Sequence, residues 1–259
     1  MSSVQQLRSE KSARRLIGAA GIAAVLGLWE VLTATLATHS PEWPTPWSIL
    51  TLLYHDGWAF YGPNLQTTVS ETLKGFFWGN LVAIALALLI LLVPVIEKPL
   101  VQLGVISYCL PIVAIGPILE VCFSGNQPKA ILAAMACFFT TLIGMLVGLR
   151  SADSTSLDVI RAFGGSRYSA LVKVRLKASL PSLFAALRIA APAAVLGAII
   201  GEYLGGTSGL GVAMINSEQS LNVARTWGIA FVATALAGVG YVVVALVGRL
   251  LTPWTRVSA

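Results

Sequence analysis

The sequence predicts an all-α, polytopic membrane protein with about six spanning helices, and three observations predict it. The first is composition: of 259 residues, 56% are hydrophobic and 11% charged, with a mean hydropathy of +0.82. A soluble domain carries about 25% charged residues, so a soluble enzyme, a disordered chain and a coiled coil are excluded. The second is six apolar runs long enough to cross a hydrocarbon layer about 30 Å thick. The third is that the basic residues fall on one side of those runs, so the net charge of +6 marks topology and not nucleic-acid binding.

A basic segment over residues 1–15, with Arg8, Lys11, Arg14 and Arg15, precedes the first run, Leu16 to Thr38, which only Glu30 interrupts. Its length and the spans that follow argue for a retained helix over a cleaved signal peptide. The next segment, with His39, Pro41 to Trp47 and the apolar stretch Ile49 to Tyr54, reads as an external interfacial loop with an aromatic belt. Glu71 and Lys74, spaced i,i+3, read as a helix-surface pair. Then come Gly75 to Ile96 and Pro99 to Leu119, the latter open to interruption at Pro111, Gly116 and Pro117, and Ala130 to Leu149. After a long polar loop come Ala178 to Gly201, containing only Arg188, and Thr226 to Gly248. An even number of helices puts both termini on one side. Thirteen of the seventeen basic residues share that side: the N-terminal four, Lys98, six between Arg150 and Lys177, Arg249 and Arg256. Both termini and the 150–181 loop are therefore expected in the cytoplasm. Lys129 and Arg225 alone fall opposite.

Chemistry-bearing motifs are sparse. No GxxxxGK[ST] or HExxH occurs, and Cys109, Cys122 and Cys137 show neither disulfide nor zinc spacing. Four ionisable residues fall in or near spans. Counting 1.5 Å per residue, Glu202 lies about 32 Å beyond Pro181 and Glu120 at a similar outer depth. Arg188 lies about 10 Å inside the opposite end and Glu30 about 21 Å along its helix, the deepest of the four. Glu30, Arg188 and Glu202 read as structural or pathway polar groups, with the structural role favoured.

The polar loop is the informative stretch. Ser154, Thr155 or Ser156 is placed to cap a short helix ending at Phe163. Gly164 and Gly165 break it, Ser166 caps a second helix, and Tyr168, Leu171, Val172, Arg175 and Leu176 fall near one face of that helix. Pro181 opens the next span. Such a loop displays Asp158 and apolar side chains to a docking partner.

At these residues the chain resembles the inner-membrane permeases of binding-protein-dependent ABC importers, whose cytoplasmic loop reads E-A-A-x₃-G-x₉-I-x-L-P. Aligned on Gly164, Asp158, Val159 and Ile160 take the E-A-A positions, and Val174 and Leu176 the I-x-L positions. Lys177 replaces the first proline, with Pro181 beyond it. Trp29-Glu30, Pro44-Thr45-Pro46, Leu110-Pro111, Pro117-Ile118, Phe138-Phe139, Leu187-Arg188-Ile189-Ala190, Gly201-Glu202-Tyr203, Gly209-Leu210-Gly211 and Pro253-Trp254 extend the likeness. Their order is similar to that of the nitrate/sulfonate/taurine-type subgroup.

The resemblance implies a type I importer permease domain over residues 16–251, with an ATPase-coupling loop at about 150–181 and a cytoplasmic tail at 252–259. Asp158, Val159, Ile160, Phe163, Gly164, Ser166, Val174, Leu176 and Pro181 are its implied coupling residues. It further implies pairing with a second copy in the bacterial inner membrane, a cytoplasmic ATPase dimer that holds ATP and magnesium, and an extracytoplasmic solute-binding protein. The chain itself is implied to bind no cofactor and catalyse nothing. The implied cargo is a small anion of the nitrate, sulfonate or taurine kind, or a pyrimidine or riboflavin precursor. A secondary, ion-coupled transporter is the alternative. It wants midplane acids and an inverted repeat, neither of which the sequence displays.

Overall fold

The structure is a computed structural model that describes residues 17, 18, 20, 21, 23–33, 35 and 43–256. The basic segment of residues 8–15, together with His39, Pro41 and Glu42, lies outside the described residues. Everything regular among the described residues is helical: α1 (Ala23–Thr33), α2 (Pro46–Leu92), α3 (Glu97–Cys109), α4 (Ile112–Cys122), α5 (Gln127–Arg150), α6 (Ser154–Ala162), α7 (Arg167–Ala170), α8 (Leu176–Gly205), α9 (Leu210–Gln219) and α10 (Val223–Leu251). Short 3₁₀ turns occupy Pro94–Ile96 and Pro253–Arg256.

Four helices among the described residues are long and apolar enough to cross a membrane: α2, α5, α10, and α7 joined to α8. A fifth candidate is the pair α3–α4, bent by 96°. The break falls at Leu110-Pro111, where both residues are extended (ψ 126° and 113°) and Pro111 has no N–H to carry the helix on. The interruption that the prolines predict is therefore present. The short apolar helix α1 lies inside the first expected span.

Two element boundaries differ from the sequence reading. The stretch read as an external loop is helical from Pro46, with Thr45 accepting the Ser48 N–H and Pro46 in the first turn. One break occurs at Gly57, at φ +54°, after which the helix runs unbroken to Leu92. Its 35 residues make about 52 Å, well beyond the bilayer core. Apolar runs mark only the part of a helix that lies in lipid, so the polar first half was invisible to them. The second difference is Pro181. It lies inside a helix continuous from Arg167 through a π-helical stretch, Leu171–Arg175, and does not open one. The bond lost is that to the carbonyl of Lys177, an exposed residue.

The core is α5 against α2 on one side and α8 on the other. Contact is close because small residues face each other, which is how apolar helices gain packing in a solvent as apolar as themselves. A Cβ on Gly79 of α2 would lie 2.6 Å from the Ala134 carbonyl oxygen of α5. A Cβ on Gly148 of α5 would lie 2.8 Å from that of Ser179 in α8. Ala133, Cys137, Ala190, Ala194 and Ala198 form a fully buried seam between them. One polar pair is buried there: Thr141 Oγ1 donates to Asn80 Oδ1, while Asn80 Nδ2 donates to the Phe76 carbonyl at 2.6 Å. Along α10 only Gly228, Ile229 and Gly248 are buried, with Val232, Ala233 and Leu236 partly buried against the same cluster as Ile229.

Candidate functional site: the loop helix and the opposite-end carboxyl cluster

At one end of the bundle, α6 stands between α5 and α7. Its cap is Asp153 and not one of the three residues after it. The Asp153 carboxylate accepts the Ser156 N–H at 3.0 Å and the Ser156 hydroxyl at 3.1 Å. The Ser156 N–H, then its hydroxyl, hold the Asp153 carboxyl below the usual carboxylate range. The helix stops where Gly164 turns to φ +71°, and Ser166 caps α7 by accepting the Ser169 N–H at 3.2 Å. Those two sequence expectations hold.

The side chains sort as follows. Val159 is half exposed and Phe163 is 88% exposed, although both are apolar. Ile160 points back against Gly165, where a Cβ would meet its backbone carbonyl oxygen at 2.7 Å. Asp158 is exposed but paired, accepting from Arg161 at 3.0 Å. Val174 and Leu176 are half-buried. Leu171 is buried while Tyr168 and Val172 are exposed, so the face expected of the second helix is split. The free surface of α6 is thus Val159 and Phe163, framed by the Asp158–Arg161 pair.

Behind α6 is a cleft of about 410 Å³ lined by Leu92, Glu97, Arg150, Arg161, Arg167 and Arg175 among others. Arg150 pairs with Glu97, which fixes the start of α3 to the end of α5. Arg175 donates to the Leu149 carbonyl at 3.4 Å, meeting an end carbonyl of α5 with a cation. These bonds join the ends of α3 and α5 to each other and to the stretch between α7 and α8.

At the opposite end lies a cluster the sequence reading missed. Glu202, near the outer end of its helix by length, is buried within the protein at 1% exposure, and so is Glu71 on α2. Glu71 is therefore no surface partner of Lys74; its carboxyl lies within reach of that of Glu202. Glu30, expected to be the deepest acid, is exposed on α1, and Arg188 is half-buried. Arg188 and Glu202 are 14 positions apart on α8, about 21 Å, so the three polar candidates do not converge.

What Glu202 does is hold α9. Three N–H groups at the N-terminus of α9 are met by side chains from other helices. Gly209 donates to Asn64 Oδ1 at 3.2 Å, Leu210 to Thr68 Oγ1 at 2.9 Å, and Gly211 to Glu202 Oε2 at 2.7 Å. Tyr203 adds a bond to Glu218 near the far end of α9, at 2.7 Å. Beside the cluster Lys129, only 4% exposed, pairs with Glu120 at 2.9 Å, tying α4 to α5. Farther out, Arg225 makes a bidentate bridge to Asp56, both bonds 2.7 Å, and lies over the Phe60 ring. The only sequence hint was Glu202 followed by glycines at 205, 206, 209 and 211: a carboxylate before a glycine turn can accept N–H groups of the returning chain.

The chain matches the model of the binding-protein-dependent transport system inner membrane component over residues 79–257. It is similar to a probable ABC transporter permease protein of Haemophilus influenzae, 29% identical over 78% of this chain and 82% of that one. It is similar to the formylaminopyrimidine transport permease protein ThiX of Halalkalibacterium halodurans, 24% identical over 88% of this chain and 92% of that one. It is also similar to the putative aliphatic sulfonates transport permease protein SsuC of Bacillus subtilis, 24% identical over 90% and 82%. The matched region runs from the middle of α2 past the end of α10 and takes in the loop helix, the broken pair and the Glu202–α9 anchor; this chain belongs to the family of binding-protein-dependent inner-membrane transport components, the multi-pass permeases of ABC systems.

Proposed function

We propose that this chain is the permease half of an ATP-driven importer of a small polar solute, coupled to a separate ATPase through α6. The observation that carries the coupling role is α6 itself: a capped, glycine-terminated helix that presents Val159 and Phe163 to water at the end of the bundle. A large exposed aromatic on a rigid mount is what an interface anchor looks like before its partner arrives. Behind it the Arg150–Glu97 pair and the Arg175–Leu149 bond tie together α3, α5 and the stretch leading into α8. Through Gly164, Gly165 and α7, α6 is joined to that stretch, so closure of the ATPases reaches the spans as movement of a lever. The excess of basic residues at this end supports a cytoplasmic position for it. ATP and magnesium then belong to the ATPase chain.

Two copies related by a two-fold axis enclose the path, and an external binding protein delivers the solute. The names of the relatives point to a sulfonate-like anion or a small pyrimidine, and this chain carries no evident charge selector between them. The test is reconstitution with the neighbouring ATPase and binding protein in proteoliposomes. ATP-dependent uptake is expected, and Phe163→Asp is expected to abolish ATPase co-purification while leaving the permease folded in the membrane. Unchanged co-purification and uptake in that variant sinks the coupling assignment.

A further inference from the structure

The break between α3 and α4 sits where a membrane protein cannot leave backbone exposed to lipid. Glu97, at the start of α3, is paired with Arg150 at the end of α5, so α3 enters from the loop end. Its 13 residues carry it about 20 Å inward. There the Tyr108 ring lies 5.1 Å from that of Phe139, the thirteenth of the 24 residues of α5. The break is therefore level with the middle of a full span. At that depth the Leu110 N–H bonds back to Ile106, and the Ala114 and Ile115 N–H groups share the Pro111 carbonyl. The carbonyls of Ser107, Tyr108, Cys109 and Leu110, and the N–H groups of Ile112 and Val113, have no backbone partner. Residues 108–111, 113 and 114 are exposed.

Each unsatisfied backbone group in hydrocarbon costs several kcal/mol, so non-helical backbone at membrane depth is either buried in protein or wetted. A helical partner has its own backbone bonds closed, and a two-fold axis brings only a face of this same chain against the break. Between 107 and 113 only Ser107 and Tyr108 bring polar side chains. Water meets both the carbonyls and the N–H groups.

We propose that the Ser107–Val113 break of α3–α4 lines a hydrated translocation path at mid-membrane, where a small polar solute passes exposed donors and acceptors in place of its own water. This rests on the permease reading above, but its test reads water directly. A thiol reacts as the thiolate, which forms in water and not in lipid. In the assembled complex in proteoliposomes, a single cysteine is kept at 109, or introduced as Leu110→Cys or Val113→Cys, with the other native cysteines changed to serine. Val242→Cys, on the exposed apolar face of α10, is the lipid control. A charged methanethiosulfonate is expected to modify 109, 110 and 113 at least about tenfold faster than 242, and to block ATP-driven uptake.

If those positions react no faster than 242 while a lipid-soluble maleimide labels them, the break faces lipid and the inference is wrong. Resistance to both reagents means a dry interface and overturns it equally. Uptake is measured in the same vesicles before labelling. ATP-driven uptake with slow labelling sinks this inference alone. Fast labelling without ATP-driven uptake leaves the water path standing and sinks the importer reading.

Discussion

Single residues at the two ends of the molecule do different work. Glu202 is an acceptor for one buried backbone N–H, so its shape matters as much as its charge. Glu202→Gln keeps an oxygen for Gly211 and is expected to fold and transport. Glu202→Ala leaves a buried donor unpaired, a loss of about 1–3 kcal/mol, seen as a lower midpoint of thermal unfolding in detergent. A changed solute preference in Glu202→Gln would contradict the structural role. Asp153 works at the surface, where its lowered pKa sets the sign of a pH effect. The cap is present above the unfolded carboxylate pKa and is lost as pH falls through the lower folded value. Hydrogen exchange of Ser154 to Leu157 is therefore expected to speed up only in acid, and Asp153→Ala to show the fast exchange already at neutral pH. Neither role was legible from spacing. Three candidate caps followed one another after Asp153, and only the turn geometry chooses among four adjacent polar residues.

At the scale of elements, α6 depends on its stop. Gly164 sits at φ +71°, a conformation that costs an L-residue about 1–2 kcal/mol and a β-branched one more. Gly164→Val is expected to re-aim α6 and to reduce ATP-driven uptake by an order of magnitude or more, with membrane insertion unchanged. The α2–α5–α8 core depends on close approach. Gly79→Leu has a backbone carbonyl in the way and is expected to abolish recovery of folded protein, as read by a single symmetric gel-filtration peak. The glycine break and the Ser166 cap could be read from the sequence because they are local. The full reach of α2 could not, because a helix that continues past the bilayer changes composition without changing conformation. Likewise Pro181 looked like a helix start because proline tolerates that position, yet it lies inside the continuous helix and leaves the Lys177 carbonyl without its usual N–H.

The whole molecule has two chemically distinct ends. One gathers Arg150, Arg161, Arg167 and Arg175 around the loop cleft; the other pairs its cations, Lys129 with Glu120 and Arg225 with Asp56. The loop end pairs cations too, Arg150 with Glu97 and Arg161 with Asp158, and it is the larger number of Lys and Arg there that supports a cytoplasmic loop end. In intact cells an impermeant thiol reagent is expected to label Ser208→Cys, on the exposed turn before α9, and to leave Ser154→Cys unlabelled until the cells are opened. The reverse pattern overturns the orientation. The Asp56–Arg225 bridge spans 169 positions and ties the segment before Gly57 to the start of α10. Arg225→Ala is expected to cost about 2 kcal/mol and to loosen that segment to proteolysis.

The helical class, four of the spans and the likeness to a transport family were written in the sequence, because lipid imposes a composition on every residue that touches it and a charge bias on the loops beside it. The rigid break after α6 was written there too, since glycine and a capping serine act within a few residues. Tertiary structure alone decided which acids are buried, what holds α9, and where the broken pair lies against the middle of α5. Many of these contacts join residues far apart in the chain, 142 and 145 positions for those that Thr68 and Asn64 make with α9, formed where glycine and alanine faces let helices meet. No local pattern records which distant partner will stand opposite a given face.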